Sequence, residues 1–147
     1  MKIEYKVFDV KYWDSCVECS ILAFGEAPWN ENWTYEQVNE RTHQIMGSKY
    51  SKGFVALDGT RIVGILLGQV RTYLDWKQVE VDDFCVHPKY QGQKIGTKLI
   101  EFAQKELKRE NINALSLTTI RGTPAVKFYE KNGFKQSETV LFMSKSY

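Results

Sequence analysis

Residues 81–107 read VDDFCVHPKYQGQKIGTKLIEFAQKEL. The first third is apolar and β-prone. The last third has helical spacing, with Ile95, Leu99, Phe102, Ala103 and Leu107 on one stripe. Between them lies Gln91–Gly96, QGQKIG, a small-residue turn with a lysine inside it. Successive N–H groups in such a turn can point at one spot, and the helix start adds orphan N–H groups and a partial positive charge. Together they suit a phosphate or pyrophosphate, and Lys94 adds a full charge. A plain strand-to-helix loop would use the same residues only to turn. Two nucleotide motifs fail here. Gly92 and Gly96 are too close for a P-loop, and no G-x-G-x-x-G lies near the first strand.

Elements on either side follow from periodicity. Ile3–Val10 alternates and predicts a strand, and Asp14–Phe24 predicts a helix with Val17, Ile21, Leu22 and Phe24 among its apolar positions. The loop GEAPWNENW precedes Thr34, which is placed to cap a helix over Tyr35–Met46. GFVALDGTRIVGILLGQV predicts a hairpin turning at Asp58-Gly59, and a further strand runs from Gln78 to Val86, ended by His87-Pro88. A helix follows over Ile95–Glu110, then a strand at ALSLTT. TPAVKFYEKN predicts a short helix with Pro124 near its start and Gly133 past its end, and FKQSETVLFMSK a last strand. The order β-α-α-β-β-β-α-β-α-β predicts one α/β (α+β) domain over residues 1–147, a mixed, mostly antiparallel sheet flanked by helices on both faces.

Composition narrows the function classes. The 147 residues are 43% hydrophobic and 26% charged, which suits one domain with a real core. The net charge is +2, and the one basic run, KELKR, closes a predicted helix, so nucleic acid is not an expected partner. No apolar run approaches the roughly 20 residues of a membrane span. The N-terminus MKIEYKVFDV reads as a strand without a signal-peptide core, so the expected location is cytoplasmic. Three cysteines argue against a disulfide framework, and Cys16-x-x-Cys19 is read as two small apolar helix positions rather than a redox or metal pair. His43 and His87 stand alone, so no metal site is expected.

Two segments together resemble the GCN5-related N-acetyltransferase (GNAT) family. The motif [RQ]-x-x-G-x-[GA] of that family matches Gln91 and Gly96, with Lys94 in place of its middle glycine. FCVHPKYQG is similar to the strand end that precedes the motif, and AVKFYEKNGF to the family's tyrosine helix. The resemblance covers nearly the whole chain in element order. It implies acetyl-CoA as cosubstrate, its pyrophosphate on the turn amides and its pantetheine arm along the preceding strand. The implied cofactor residues are Phe84, Cys85, Val86, Gln91, Gly92, Gln93, Lys94, Ile95, Gly96 and Thr97. In the left-handed conformation Lys94 would cost about 1–2 kcal/mol, so the turn either avoids it or offsets it by phosphate contact. Gly122 stands where many members have a cofactor-binding asparagine, so that contact is not carried over.

Acyl transfer to an amine needs a neutral amine, a donor for the carbonyl oxygen and a proton for the leaving thiolate. A lysine-like amine, of pKa about 10.4, is neutral in only about one part in a few thousand at pH 7. A carboxylate base, directly or through water, raises the usable fraction. Glu80 and Asp82 lie two apart and share a face of an extended strand, with Asp83 on the other unless a bulge intervenes. Counting back from Gln91, Glu80 stands where the histone-acetylating members place a glutamate, and Asp82 near an acid of aminoglycoside-modifying members. The same resemblance puts carbonyl-polarising N–H groups near Cys85 and Val86, and makes Tyr129 the acid for the thiolate. Cys85 itself reads as a small hydrophobe, since the family transfers directly in a ternary complex. Trp29, Glu31, Trp33, Tyr73 and Asp75 offer aromatic faces and carboxylates for a cationic small-molecule or peptide amine. A homodimer is compatible with this reading. Its rivals are an aminoglycoside N-acetyltransferase and a non-catalytic acyl-CoA-binding sensor on the same fold.

Overall fold

The computed structural model describes residues 2–147. Two compact units divide the chain, Met1–Leu117 and Thr118–Tyr147. The first holds strands β1 (Ile3–Val7), β2 (Ser51–Asp58), β3 (Arg61–Tyr73), β4 (Trp76–Val86) and β5 (Leu115–Ser116), with helices α1 (Trp13–Gly25), α2 (Tyr35–Met46) and α3 (Ile95–Lys108). The strands form one open sheet in the order β1-β2-β3-β4-β5. The first four are antiparallel and β5 is parallel to β4, a mixed sheet as expected.

Local chemistry sets the boundaries. Thr34 and Gln37 form a capping box at the start of α2: the Gln37 N–H donates to Thr34 Oγ1 at 3.2 Å, and the Thr34 N–H to Gln37 Oε1 at 3.0 Å. Asp58 and Arg61 pair across a two-residue turn in which Gly59 has φ 63°. Tyr73 and Trp76 close the next hairpin, with Leu74 at φ 57°.

Both sheet faces are covered. On one, Ile65, Leu67 and Cys85 pack with Cys16, Cys19 and Ala23 of α1 and Ile45 of α2. The C-x-x-C pair is therefore packing, two small buried positions on the inner face of α1. That face uses Cys16, Val17, Cys19, Ser20 and Ala23, whereas Leu22 is exposed. On the other face α3 buries Ile95, Leu99, Ile100, Ala103 and Leu107. Each large aliphatic side chain there contributes about 1.5–3 kcal/mol.

Two sequence expectations fail. The strand expected at ALSLTT shrinks to Leu115–Ser116, paired with Val79 and Glu80. A bulge just beyond Glu80 bends β4, and bulges terminate pairing in this way. The last expected strand, FKQSETVLFMSK, does not form. In the second unit, α4 (Pro124–Lys131) is the regular element, and the chain after it is irregular. Ser137 Oγ accepts from the N–H groups of Thr139 and Val140 at 3.2 and 2.8 Å, a local turn that competes with an extended ladder. Val140–Met143 are four successive apolar residues with no alternation, and all are exposed.

Candidate active site

Strand β4 carries a bulge where the acids lie. Leu67 opposes Asp83 and Gly68 opposes Val81, so Asp82 has no residue opposite it. The extra residue reverses the alternation. Glu80, opposite Gln69, shares a face with Asp83, opposite Leu67. The condition set by the sequence is met: Asp83 is on the face with Glu80.

That face meets α2. Asp83, only 6% exposed, accepts from Arg41 through Nε at 3.0 Å and Nη2 at 2.9 Å. The same Nη2 donates to the Asp82 carbonyl at 3.1 Å. Glu80 pairs with Arg71 of β3 at 3.2 Å, both half exposed. Burial raises the proton affinity of Asp82, with Glu80 adding to it, while Arg41 and Arg71 pull the other way. Burial likewise pushes the Asp83 carboxyl up, against its bond to Arg41.

A cleft of about 460 Å³ opens beside this cluster, lined among others by Glu31, Trp33, Gln37, Glu40 and Arg41. Glu31 and Trp33 are two of the expected acceptor residues, joined by Trp33 Nε1–H donating to Glu31 Oε1 at 2.9 Å. Trp29 packs edge-on against Phe24, 6.1 Å between centroids. Tyr73 and Asp75 lie at the exposed tip of the β3–β4 hairpin. Sequence reading missed Arg41, Gln37, Glu40 and Gln44. Their spacing of three and four residues marks the polar face of α2, the one signal that could have found them.

At its other end β4 leads into the turn. His87 is buried, its Nδ1 accepting from the Lys89 N–H at 3.1 Å, and burial beside Arg61 and Lys89 lowers its proton affinity. Gln91 Nε2 donates to the Val86 carbonyl at 3.2 Å, tying the turn to the strand end. Gly92 has φ 79° and Lys94 φ 63°. The turn therefore adopts the left-handed conformation at lysine rather than avoiding it. Lys94 is the N-cap of α3 and makes no side-chain cap, so no side chain of the cap competes for the first N–H groups of the helix. Nothing lies within 4 Å of where a Cβ on Gly92 would stand. An open glycine, exposed Gln93 and Lys94, and an uncapped helix start match the donor set a pyrophosphate needs.

The His87 N–H donates to Val63 at 2.8 Å. By alternation along an antiparallel pair, the Val86 N–H points to the opposite edge of β4, the edge that β5 accompanies only at Val79 and Glu80. Cys85 is buried, and a hydrogen bond with Cys19, then burial, hold its thiol well above the ordinary range. A protonated, enclosed thiol is a poor nucleophile. In the second unit, Tyr129 sits on α4 with its ring 5.5 Å from Phe128 and 5.3 Å from Phe134. The Phe134 N–H donates to the Tyr129 carbonyl at 3.0 Å, which fixes the chain leaving the helix.

Comparison with known proteins agrees with this architecture. The family model described as "Acetyltransferase (GNAT) domain" matches residues 15–144. Aminoalkylphosphonate N-acetyltransferase of Salmonella typhimurium is 31% identical over 87 residues, 56% of this chain and 56% of that protein, so the match spans about half of the relative's length. A transcriptional regulator from Bacillus halodurans superposes with TM-score 0.78 at 23% identity, covering 98% of this chain and 100% of that one. AAC(6')-Iy, solved with the bisubstrate analog CoA-S-monomethyl-acetylneamine, superposes with TM-score 0.75 at 14% identity over the full length of both chains. With a family match over residues 15–144 and the same fold in these structures, the chain belongs to the GNAT family of acetyltransferases.

Proposed function

We propose that the protein is an acetyl-CoA-dependent N-acetyltransferase acting on the primary amine of a small cationic molecule or a peptide. The observation that carries this reading is the layout of β4, which holds three acids at its bulge and runs directly into an anion-binding turn at the start of α3. Acetyl-CoA, when bound, supplies the acetyl group as an activated thioester. Gln91, Gly92, Gln93, Lys94, Ile95, Gly96 and Thr97 hold its phosphates through backbone N–H groups and the lysine charge, and Phe84, Cys85 and Val86 flank the arm. Asp82 or Glu80 takes the proton from the acceptor ammonium, directly or through water. The freed amine forms a C–N bond at the carbonyl carbon while the C–S bond breaks, and the second nitrogen proton leaves to water as the amide forms. The Val86 N–H stabilises the developing oxyanion, and Tyr129 returns a proton to the departing thiolate.

Acceptor choice follows from charge. In the cleft Glu31 and Glu40 outnumber Arg41, and on the neighbouring strands Glu80 and Asp82 outnumber Arg71, which favours an ammonium. An aminoglycoside is the narrower reading, supported by the acetylneamine carried in the complex of a structural neighbour. Among the described residues no helix is long and apolar enough to cross a membrane, and the proposed place of action is the cytoplasm, where acetyl-CoA is available. The test is acetyl-CoA-dependent thiol release over a panel of aminoglycosides, polyamines, aminoalkylphosphonates and peptide amines. Turnover with a cationic member supports the reading. Tight CoA binding with no turnover on any amine would favour the sensor.

A further inference from the structure

We propose that Arg41 is a positioning residue for acetyl transfer, clamping the β4 bulge so that the Asp82 carboxylate stays on the side where the acceptor cleft opens. This deepens the N-acetyltransferase reading and rests on it.

A bulge residue loses its ladder partner, so its backbone must be satisfied elsewhere. Asp82 solves this through α2: its carbonyl accepts from Arg41 Nη2 at 3.1 Å. The same guanidinium holds the buried carboxylate of the neighbouring residue, Asp83, through Nε and Nη2. One side chain thus fixes the backbone of the first bulge residue and the side chain of the second. β3 braces the strand from across the ladder. A Cβ on Gly68 would stand 2.1 Å from the Glu80 carbonyl oxygen, so the two backbones meet there too closely for any other residue. Arg41 also lines the cleft, so the clamp and the acceptor share one face of α2. The charged groups acting on Asp82 are Arg41 from α2, Arg71 from β3 and Glu80 on its own strand, and Asp82 in turn acts on Asp83. A lysine would keep the charge but reach these acceptors with a single ammonium rather than a planar fork.

The test uses steady-state kinetics with an acceptor from the panel, on Arg41→Lys, on the double variant Arg41→Met, Asp83→Asn, and on Asp83→Asn as the reference for the double variant. The double variant removes the buried charge together with its partner, so it folds where Arg41→Met alone would strand a carboxylate. Expected for Arg41→Lys is a 10- to 100-fold loss of kcat, with CoA affinity and KM for acetyl-CoA unchanged. The double variant should lose kcat similarly. Its acid limb should also lie at higher pH than that of Asp83→Asn, because the two variants differ only by the cation that Asp82 has lost. The Asp82 carboxyl titration, followed by carbon NMR, needs no turnover and should lie higher in the double variant than in Asp83→Asn. Wild-type kcat in Arg41→Lys or in the double variant, or the same Asp82 titration in the double variant as in Asp83→Asn, overturns the clamp. A wild-type protein that acetylates no amine refutes the underlying reading instead, and the titration then still decides whether Arg41 governs Asp82.

Discussion

The two ends of β4 are built from different materials. Near the bulge the site is made of side chains, with Glu80, Asp82 and Asp83 held by Arg41 and Arg71 from other elements. At the exit, from Val86 to Gly96, it is made of backbone: a turn with two positive φ values and an uncapped helix start. Backbone sites bind any ligand carrying the right anion. Side-chain sites discriminate, because each group must be brought in from a different element. Under the proposed function the difference becomes a division of labour, in which the exit would hold the cosubstrate and the bulge would select and deprotonate the acceptor.

The sharpest way to break this division is to neutralise the acids singly. If Asp82 is the base, Asp82→Asn should lower kcat by about 10²- to 10³-fold, within the range for a positioned base. Its loss should be greatest at low pH and recover toward the amine's own pKa. Glu80→Gln should behave that way instead if Glu80 is the base. The sign follows from protonation. A base works only when deprotonated, and burial raises the Asp82 pKa, so the wild-type acid limb should lie above the ordinary carboxylate range. A wild-type pH–rate profile in both carboxamide variants would move the proton to water or another acid.

Tyr129→Phe comes next. It keeps the ring between Phe128 and Phe134 and removes only the hydroxyl. With Tyr129 as the acid, kcat should fall about 10²-fold while CoA affinity, read by calorimetry, stays nearly constant. Full kcat would leave Tyr129 as packing.

The exit end should respond in affinity rather than turnover. Lys94→Gly removes a left-handed lysine that costs about 1–2 kcal/mol, so thermal stability should rise. CoA binding should nevertheless weaken by about tenfold, the loss of a charge-assisted contact. Unchanged affinity would show that the phosphates use the backbone alone. The smallest effect is expected at Thr34→Ala, which removes half of the capping box of α2 and should cost about 1 kcal/mol in denaturant unfolding, with CoA affinity unaltered.

The same contrast explains what could be read from the sequence. Gln91–Gly96 is local: its glycines, its place between strand and helix, and the spacing of Ile95, Leu99 and Leu107 are all contained in 27 residues. The conformation of Lys94 was the one open point, and it is left-handed. The acid end is non-local. Asp83 turns to the α2 face only because one extra residue sits opposite the Leu67–Gly68 step, and nothing in VEVDDFCV announces it. Arg41 lies 42 positions from Asp83 in sequence. Its part could be seen only once α2 lay on the sheet. The final apolar segment misled for a related reason: β-prone residues make a strand only where a neighbour completes the ladder, and Ser137 ties the local backbone into a turn.

In the proposed reaction acetyl passes directly to the amine at the β4 bulge, with the buried Cys85 thiol taking no part. Initial rates measured while acetyl-CoA and acceptor are both varied test it most directly. Direct transfer gives intersecting double-reciprocal lines, a sequential pattern, and no acetylated protein by intact mass after incubation with acetyl-CoA alone. Parallel lines together with an acetyl group on Cys85 would contradict it.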